Sequence, residues 1–400
     1  MVKLLGVFVL SFFTISVLAV EFIAQFKKEY QLNEFLQKYY KVNDRNITAL
    51  DISHLNLGLR SFEIDEFKGV IGDFSIGLIK ELYNDKNIIS LSLDRNLSLA
   101  EVQENSPKHL TRLSQPQSLR KGQSLDYVYD PTGGIGVDVF ILDTGVQASN
   151  PEFSSRVTKL ADFTGEDERL IDRNDYIGHG TYIAGLVGSE TYGVAKKANL
   201  FDVRITKKNG KAKLSAVIRA LNLILSNSKI TKRPSVVVIP LIMKKNAILN
   251  GAVEALIKTG IPVIVPAGNN GEQACNFSPA SAKGALTVGA IDVDTDLISS
   301  FSNWGACVDI FAPGVKVETT SNSARGEKTI KSGTSLSTGI TAGLVAYYMG
   351  MGDNGWQAVD RVVSYSLGDK IPKANLESKP LTANRIAFNR QGEPNWGVSP

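Results

Sequence analysis

Hydrophobic and polar positions alternate in two different textures along the chain. Between residues 20 and 100, short apolar runs are interleaved with Lys, Glu, Phe, Leu and Tyr. This pattern predicts a strand over "VEFIAQF", a helix over "LNEFLQKYYK", strands over "LRSFEID" and "FKGVIGDF", a helix over "IGLIKELYND" and a strand over "IISLSLD". The order is βαββαβ, a small two-layer α+β unit. Residues 101–133 are polar, show no clear period, and read as a loose covering over a larger body. From residue 134 apolar strands ("VDVFILDTG", "LFDVRI", "SVVVIPLIM", "IPVIVPAGN", "ALTVGAI") alternate with helical stretches ("GTYIAGLVG", "KLSAVIRALNLIL", "LNGAVEALIKTG"), and a further helix begins near Ser335. Strands apolar on both sides of the pleat need cover on both faces. The expected body is therefore α/β, a mostly parallel sheet with helices on both faces. In such sheets chemistry gathers at the carboxyl ends of the strands.

The amino-terminal texture adds a third segment. Lys3 precedes "LLGVFVLSFFTISVLA", an apolar run closed by small residues, which predicts a secretory signal peptide over 1–19. The run is shorter than the ~20 apolar residues a membrane span prefers, and no later segment is long and apolar enough to span. An exported protein without a membrane anchor after signal removal is expected. Its 44 basic and 40 acidic residues are dispersed and give a net charge of +4, too mild a balance for nucleic acid or an anionic membrane surface. Two cysteines, Cys275 and Cys307, suggest one disulfide in an exported chain, with two separate buried thiols as the alternative. Asn46, Asn96 and Asn276 head glycosylation sequons. The glycines of "GGIGVD" precede a strand instead of following one, so they do not make a dinucleotide fingerprint.

Three residues stand where the sheet hands over to a turn or helix. Asp143 closes "FILD", His179 lies in "YIGHGTYIAG" and Ser335 in "SGTSLSTG". Singly, each has a plain structural role: a turn carboxylate, a capping or metal-binding imidazole, a helix N-cap. Together they supply what acyl transfer needs. A serine hydroxyl requires a base to take its proton, and a buried carboxylate holds that base in the right tautomer. The chain has three histidines, and His54 and His109 fall outside the α/β body, which leaves His179. The turn "AGNNG" offers the Asn269 side-chain amide as an oxyanion donor, paired with the Ser335 N–H. A lipase-type elbow is excluded, because Ser337 replaces its second glycine and the order Asp, His, Ser is wrong for it.

These blocks, in this order, resemble the subtilisin-like serine proteases, nearest to the proteinase K branch. The matching stretches are "ILDTGVQASNPEF", "GHGTYIAGLVGSETYGVAKKANLFDVRI", "PAGNNGEQACNFSPASAKGALTVGA", "SSFSNWGACVDIFAPG" and "SGTSLSTGITAGLVAYYM". The resemblance implies a secreted, monomeric serine endopeptidase made as a zymogen and acting on protein or peptide substrates. Residues 20–100 are similar to an inhibitory propeptide, and 101–400 would be the peptidase, with autocleavage near Ala100–Glu101. It also implies pairing of Cys275 with Cys307, no cofactor for the chemistry, and a structural calcium at Asp309, for which a hydrogen-bonded loop carboxylate is the alternative.

Several positions depart from the family pattern. Gly339 stands where proline is usual, Leu336 where methionine is, and Ile340 where histidine is. The sequence suggests that Gly339 softens the first helical turn. Substrate contacts are expected from Pro240, Leu241, Ile242 and Gly268, yet Pro240 and Ile242 stand where the family has the serine and glycine of Ser-Leu-Gly. Proline cannot donate a ladder hydrogen bond, and isoleucine in place of glycine narrows the first specificity pocket. That altered cleft motivates a second reading, a catalytically silent binding protein on the same fold.

Overall fold

The computed structural model of the chain describes residues 21–42, 55, 57–94, 100–166 and 174–391. The expected signal peptide at 1–19, the sequons at Asn46 and Asn96, and His54 lie outside the described residues. The chain divides into two compact units, residues 1–97 and 98–400.

The first unit contains β1 (Glu21–Phe26), α1 (Leu32–Tyr40), β2 (Leu59–Ile64), β3 (Phe67–Asp73), α2 (Ile76–Tyr83) and β4 (Ile88–Leu93). Its strands pair antiparallel in the order β2-β3-β1-β4. Successive β1 residues point to opposite faces. Ala24 and Phe26 share the buried face with Phe35 and Leu36 of α1, Val70 of β3 and Leu82 of α2.

The second unit runs β5 (Glu101–Gln103), α3 (Lys108–Leu113), β6 (Tyr127–Tyr129), β7 (Asp138–Asp143), β8 (Val157–Asp162), α4 (His179–Gly188), β9 (Asn199–Arg204), α5 (Leu214–Thr231), β10 (Ser235–Val238), β11 (Met243–Lys244), α6 (Ala247–Ile257), β12 (Val263–Pro266), β13 (Phe277–Ser278), β14 (Leu286–Ile291), β15 (Ile310–Pro313), β16 (Val317–Thr320), β17 (Lys328–Lys331), α7 (Thr334–Gly350), α8 (Gly355–Ser364), β18 (Leu367–Gly368) and β19 (Arg385–Ile386). Nine strands form the central sheet in the order β18-β19-β15-β14-β12-β10-β7-β9-β8. Every neighbouring pair is parallel except β18 with β19.

Period two along these strands sorts the core into two layers. Val139 and Ile141 of β7, Val236 and Val238 of β10 and Ile264 of β12 pack with Ile183 of α4 and Leu344 of α7. Phe140 and Leu142, Val237, and Val263 and Val265 pack on the other face with Leu221 of α5 and Val253 of α6. Burying such a side chain fully contributes about 1.5–3 kcal/mol. Both layers are needed, because these strands have no polar face to turn to water.

Three expectations need correction. The stretch 101–133 is not a loose covering. It carries β5, α3 and β6, and every residue from His109 to Leu113 is buried. Long-range polar contacts hold it: Arg112 forks onto Asp296 at 2.8 and 3.0 Å, and His109 Nε2 lies 2.9 Å from the Tyr192 carbonyl. No local period announces partners so distant in sequence. The strand over 235–243 stops at Val238, because Pro240 cannot donate to a ladder, and Met243–Lys244 pairs antiparallel with β13 instead. Gly339 is the sixth residue of α7, in its second turn, and not at its start.

Candidate active site

The side chain of Asp143 takes its direction from β7. It follows Val139 and Ile141 in the alternation, so it emerges on the face covered by α4 and α7. His179 is the first residue of α4 and Ser335 the second of α7. One strand end and two helix starts therefore meet at the carboxyl edge of the sheet. The close approach of α4 to the β7 turn requires glycine at 180. A Cβ there would stand 2.1 Å from the Gly145 carbonyl oxygen and 3.0 Å from Asp143 Cβ.

The three side chains form a continuous relay. Asp143 is fully buried; its Oδ1 accepts from the Thr144 N–H at 2.6 Å, and its Oδ2 lies 2.7 Å from His179 Nδ1. His179 Nε2 lies 3.1 Å from Ser335 Oγ. The carboxylate can only accept, which assigns the proton to Nδ1 and leaves Nε2 to accept from the serine hydroxyl. The imidazole is 29% exposed and Ser335 is 8% exposed, so the pair is largely but not wholly closed off from solvent. Burial disfavours the charged ring. The Asp143 carboxylate, by charge and hydrogen bond, and Asp175 outweigh it, so the His179 pKa is held above the ordinary 6.5. His109 is the contrast: burial pushes it down to about 4 and keeps it neutral.

Asn269 sits in the turn after β12. Its Oδ1 accepts from the Thr334 N–H at 2.9 Å and from Thr334 Oγ1 at 2.8 Å. This fixes the amide with Nδ2 as the remaining donor. A Cβ built on Gly333 would stand 3.4 Å from Ser335 Oγ and 3.5 Å from Asn269 Nδ2, so both atoms border the same small space. Gly268, at φ +109°, has no room for a side chain: a Cβ would meet Asn303 Nδ2 at 2.4 Å and Ile242 Cδ1 at 2.9 Å. Ile242 thus leans on the Asn269 turn. Leu241 is half-buried like Ile242, and Pro240 is buried.

The sequence reading passed over the residues that hold this arrangement. Buried Asn303 accepts from the N–H groups of Asn270 and Glu272 and donates to the Ala267 carbonyl. Thr334 fixes Asn269, and Asp175 anchors the turn before His179. Only Asp175, four residues ahead of the histidine, left any local signal. Cys275 and Cys307 are joined as a disulfide, with Cα atoms 5.3 Å apart. That bond ties the chain beyond the Asn269 turn to the segment carrying Asn303.

Asp309 lies apart from these groups, immediately before β15. Its Oδ2 accepts from the Thr287 N–H at 2.8 Å, and burial pushes its pKa up. Among the described residues no three His, Cys, Asp or Glu side chains gather as metal ligands. A calcium ion takes six to eight oxygens. Asp309 would give such an ion one carboxylate, and backbone carbonyls would have to supply most of the rest.

Comparison with known proteins gives a consistent picture. Residues 134–364 match the model of the subtilase family. "Subtilisin-like protease 1" of Pseudogymnoascus destructans is 35% identical over 343 residues, covering 85% of this chain and 82% of that protein. The "cuticle-degrading serine protease" of Arthrobotrys oligospora is 36% identical over 338 residues, covering 82% of this chain and 79% of its own length. Among solved structures, a cold adapted subtilisin-like serine proteinase superposes with a TM-score of 0.63 at 31% identity, over 71% of this chain and 98% of the other.

Proposed function

The chain belongs to the subtilase family of serine-type endopeptidases, and from that premise we propose that it is exported as a zymogen and cuts peptide bonds with Asp143, His179 and Ser335. The observation that carries this is the unbroken pair of hydrogen bonds, 2.7 Å and 3.1 Å, from Asp143 through His179 to Ser335 Oγ.

Each residue then has one task. Ser335 Oγ attacks the carbonyl carbon as His179 Nε2 takes its proton. The Asp143 carboxylate holds Nδ1–H and supports the imidazolium. Asn269 Nδ2 and the Ser335 N–H donate to the oxyanion. His179 returns the proton to the departing amine, and water, deprotonated in turn by His179, releases the acyl group. The family's chemistry needs no cofactor. Asp309 takes no part in these steps, and a calcium ion held there would be structural.

Residues 1–19 would be removed on export and 20–100 would act as the chain's own inhibitor until cleavage near Ala100–Glu101 releases a monomeric peptidase. Among the described residues no helix is long and apolar enough to cross a membrane. Ile242, close to Gly268, supports a narrowed pocket that favours small side chains next to the cut. The relatives are named as proteases and lend nothing to a silent binding protein.

Intact mass and amino-terminal sequencing of the secreted protein test this, with Ser335→Ala beside the wild type. The wild type is expected to lose residues up to about Ala100 and the variant to keep them. A folded wild type that stays full length and leaves peptides uncut would overturn it.

A further inference from the structure

We propose that Asp175 is a positioning residue for the hydrolytic reaction: its carboxylate caps α4, ties the turn beside Asp143 to the His179 backbone, and offsets the positive helix end at which His179 must hold its proton. The inference rests on the reading of His179 as the general base.

Asp175 is 2% exposed, and no cation pairs with it among the described residues. Five hydrogen bonds satisfy it instead. Oδ1 accepts from Thr144 Oγ1 at 2.8 Å, the Ile177 N–H at 3.2 Å and the Gly178 N–H at 2.8 Å. Oδ2 accepts from the Thr181 N–H at 2.9 Å and Thr181 Oγ1 at 2.6 Å. Thr144 closes the circuit. Its hydroxyl accepts from the Gly180 N–H at 2.9 Å, and its own N–H donates to Asp143 Oδ1. The residues on both sides of His179 are therefore bonded, directly or through Thr144, to Asp175, and the same circuit touches the carboxylate that His179 uses.

Electrostatics give this circuit a second effect. The start of a helix carries roughly half a positive charge, which opposes a cation there. His179 is the first residue of α4, and the first turn of that helix contains no acidic residue. A general base in this place gains its proton against the helix field. Asp175, folded back over the same N–H groups, supplies the missing negative charge. Other charged groups face the region from neighbouring elements. Asp143 comes from β7, and Asp202 of β9 accepts from the Val146 N–H. Arg204 of β9 lies over the Tyr176 ring, and Lys331 of β17 over the ring of Tyr182, the titratable neighbour on α4 itself. Asp143 and Asp175 are the two that favour the protonated ring.

The test measures kcat, KM and the pH profile of kcat/KM for the mature enzyme on a chromogenic peptide, with Asp175→Asn, Asp175→Glu and Thr144→Val. In Asp175→Asn, kcat is expected to fall roughly 10- to 100-fold with little change in KM, as for a small misplacement of a reacting group, and the acid limb is expected to move to lower pH. Thr144→Val keeps the charge but breaks the circuit, so kcat falls while the acid limb stays. An acid limb that does not move in Asp175→Asn overturns the proposal, whatever happens to kcat. If that variant does not fold, Asp175→Glu decides: it keeps the charge in a displaced position, so a lowered kcat with an unmoved acid limb supports the proposal and an unchanged kcat overturns it. His179→Ala, run in parallel, separates this from failure of the general-base reading, since activity surviving that change would sink the latter instead.

Discussion

Asn269→Ala separates catalysis from folding at this site. Asn269 is exposed, so its truncation opens no cavity. It removes two bonds from the buried Thr334, at 2.9 and 2.8 Å. Each such bond contributes about 0.5–1.5 kcal/mol net. Thr334 itself is fully buried, so its N–H and hydroxyl stay in place and lose their acceptor; the stability loss should be about 1–3 kcal/mol, read as a fall of several degrees in melting temperature. The kinetic effect is larger. Oδ1 is engaged by Thr334, which leaves Nδ2 as the donor for the developing oxyanion. Losing one such donor costs ~10²–10³ in kcat, or about 2.7–4 kcal/mol of transition-state binding. KM should change little, because the neutral carbonyl of the bound substrate gains little from that amide. The assay is steady-state hydrolysis of a peptide p-nitroanilide beside a thermal melt. A variant with kcat within tenfold of wild type, or one that loses kcat only in proportion to its folded fraction, would refute the role of Nδ2.

The remaining expectations are simpler. Activity needs neutral His179, and its pKa is raised, so kcat/KM should climb with pH through a midpoint above 6.5; a midpoint below 6.5 would contradict the influence of Asp143. The same shift works oppositely on stability. The folded state binds that proton more tightly than the unfolded chain, so this contribution is full below 6.5 and disappears as pH rises through the folded value, which pH-dependent melts of wild type and His179→Ala would reveal. Ile242→Gly should raise kcat/KM for peptides with large aromatic residues before the cut relative to those with alanine; an unchanged ratio would remove Ile242 from the pocket wall. Arg112→Ala leaves Asp296 buried without its fork and should cost about 3–5 kcal/mol of stability, read from a denaturant midpoint.

The legible parts of this chain are those written in local pattern. The βαββαβ unit and the α/β body follow from runs such as "VDVFILD", in which every residue is buried, so helices on both faces were required. Asp143, His179 and Ser335 could be picked out because each closes or opens an apolar element, and two of the three histidines lay elsewhere. What stayed hidden depends on contacts that sequence spacing does not encode. Arg112 finds Asp296 across 184 residues, and that pair orders a stretch with no period of its own. Asn303 reads as an ordinary loop asparagine until its three bonds to the Asn269 turn are seen. Gly339 does not mark a helix start, because the cap sets it: α7 opens at Thr334, directly after Gly333. A Cβ on Gly339 would stand 3.3 Å from the Ile183 carbonyl oxygen, so glycine there serves the crossing of α7 over α4 more than the helix start.

The alternation along β7 has a consequence for how this architecture tolerates change. Asp143 reaches its partners because it stands an even number of residues beyond Val139 and Ile141. Its address is a parity, not a distance along the chain. His179 and Ser335 are addressed by where two helices begin. The sequence separations, 36 from Asp143 to His179 and 156 from His179 to Ser335, are not fixed by this geometry, because the loops among the intervening elements can lengthen at small entropic cost. Deleting one residue inside 138–143 would send the carboxylate to the opposite face of the sheet, towards α5 and α6. Adding several to the exposed hairpin at 207–211 would leave it in place. The chemistry is insulated from most changes in length and exposed to a single shift of register.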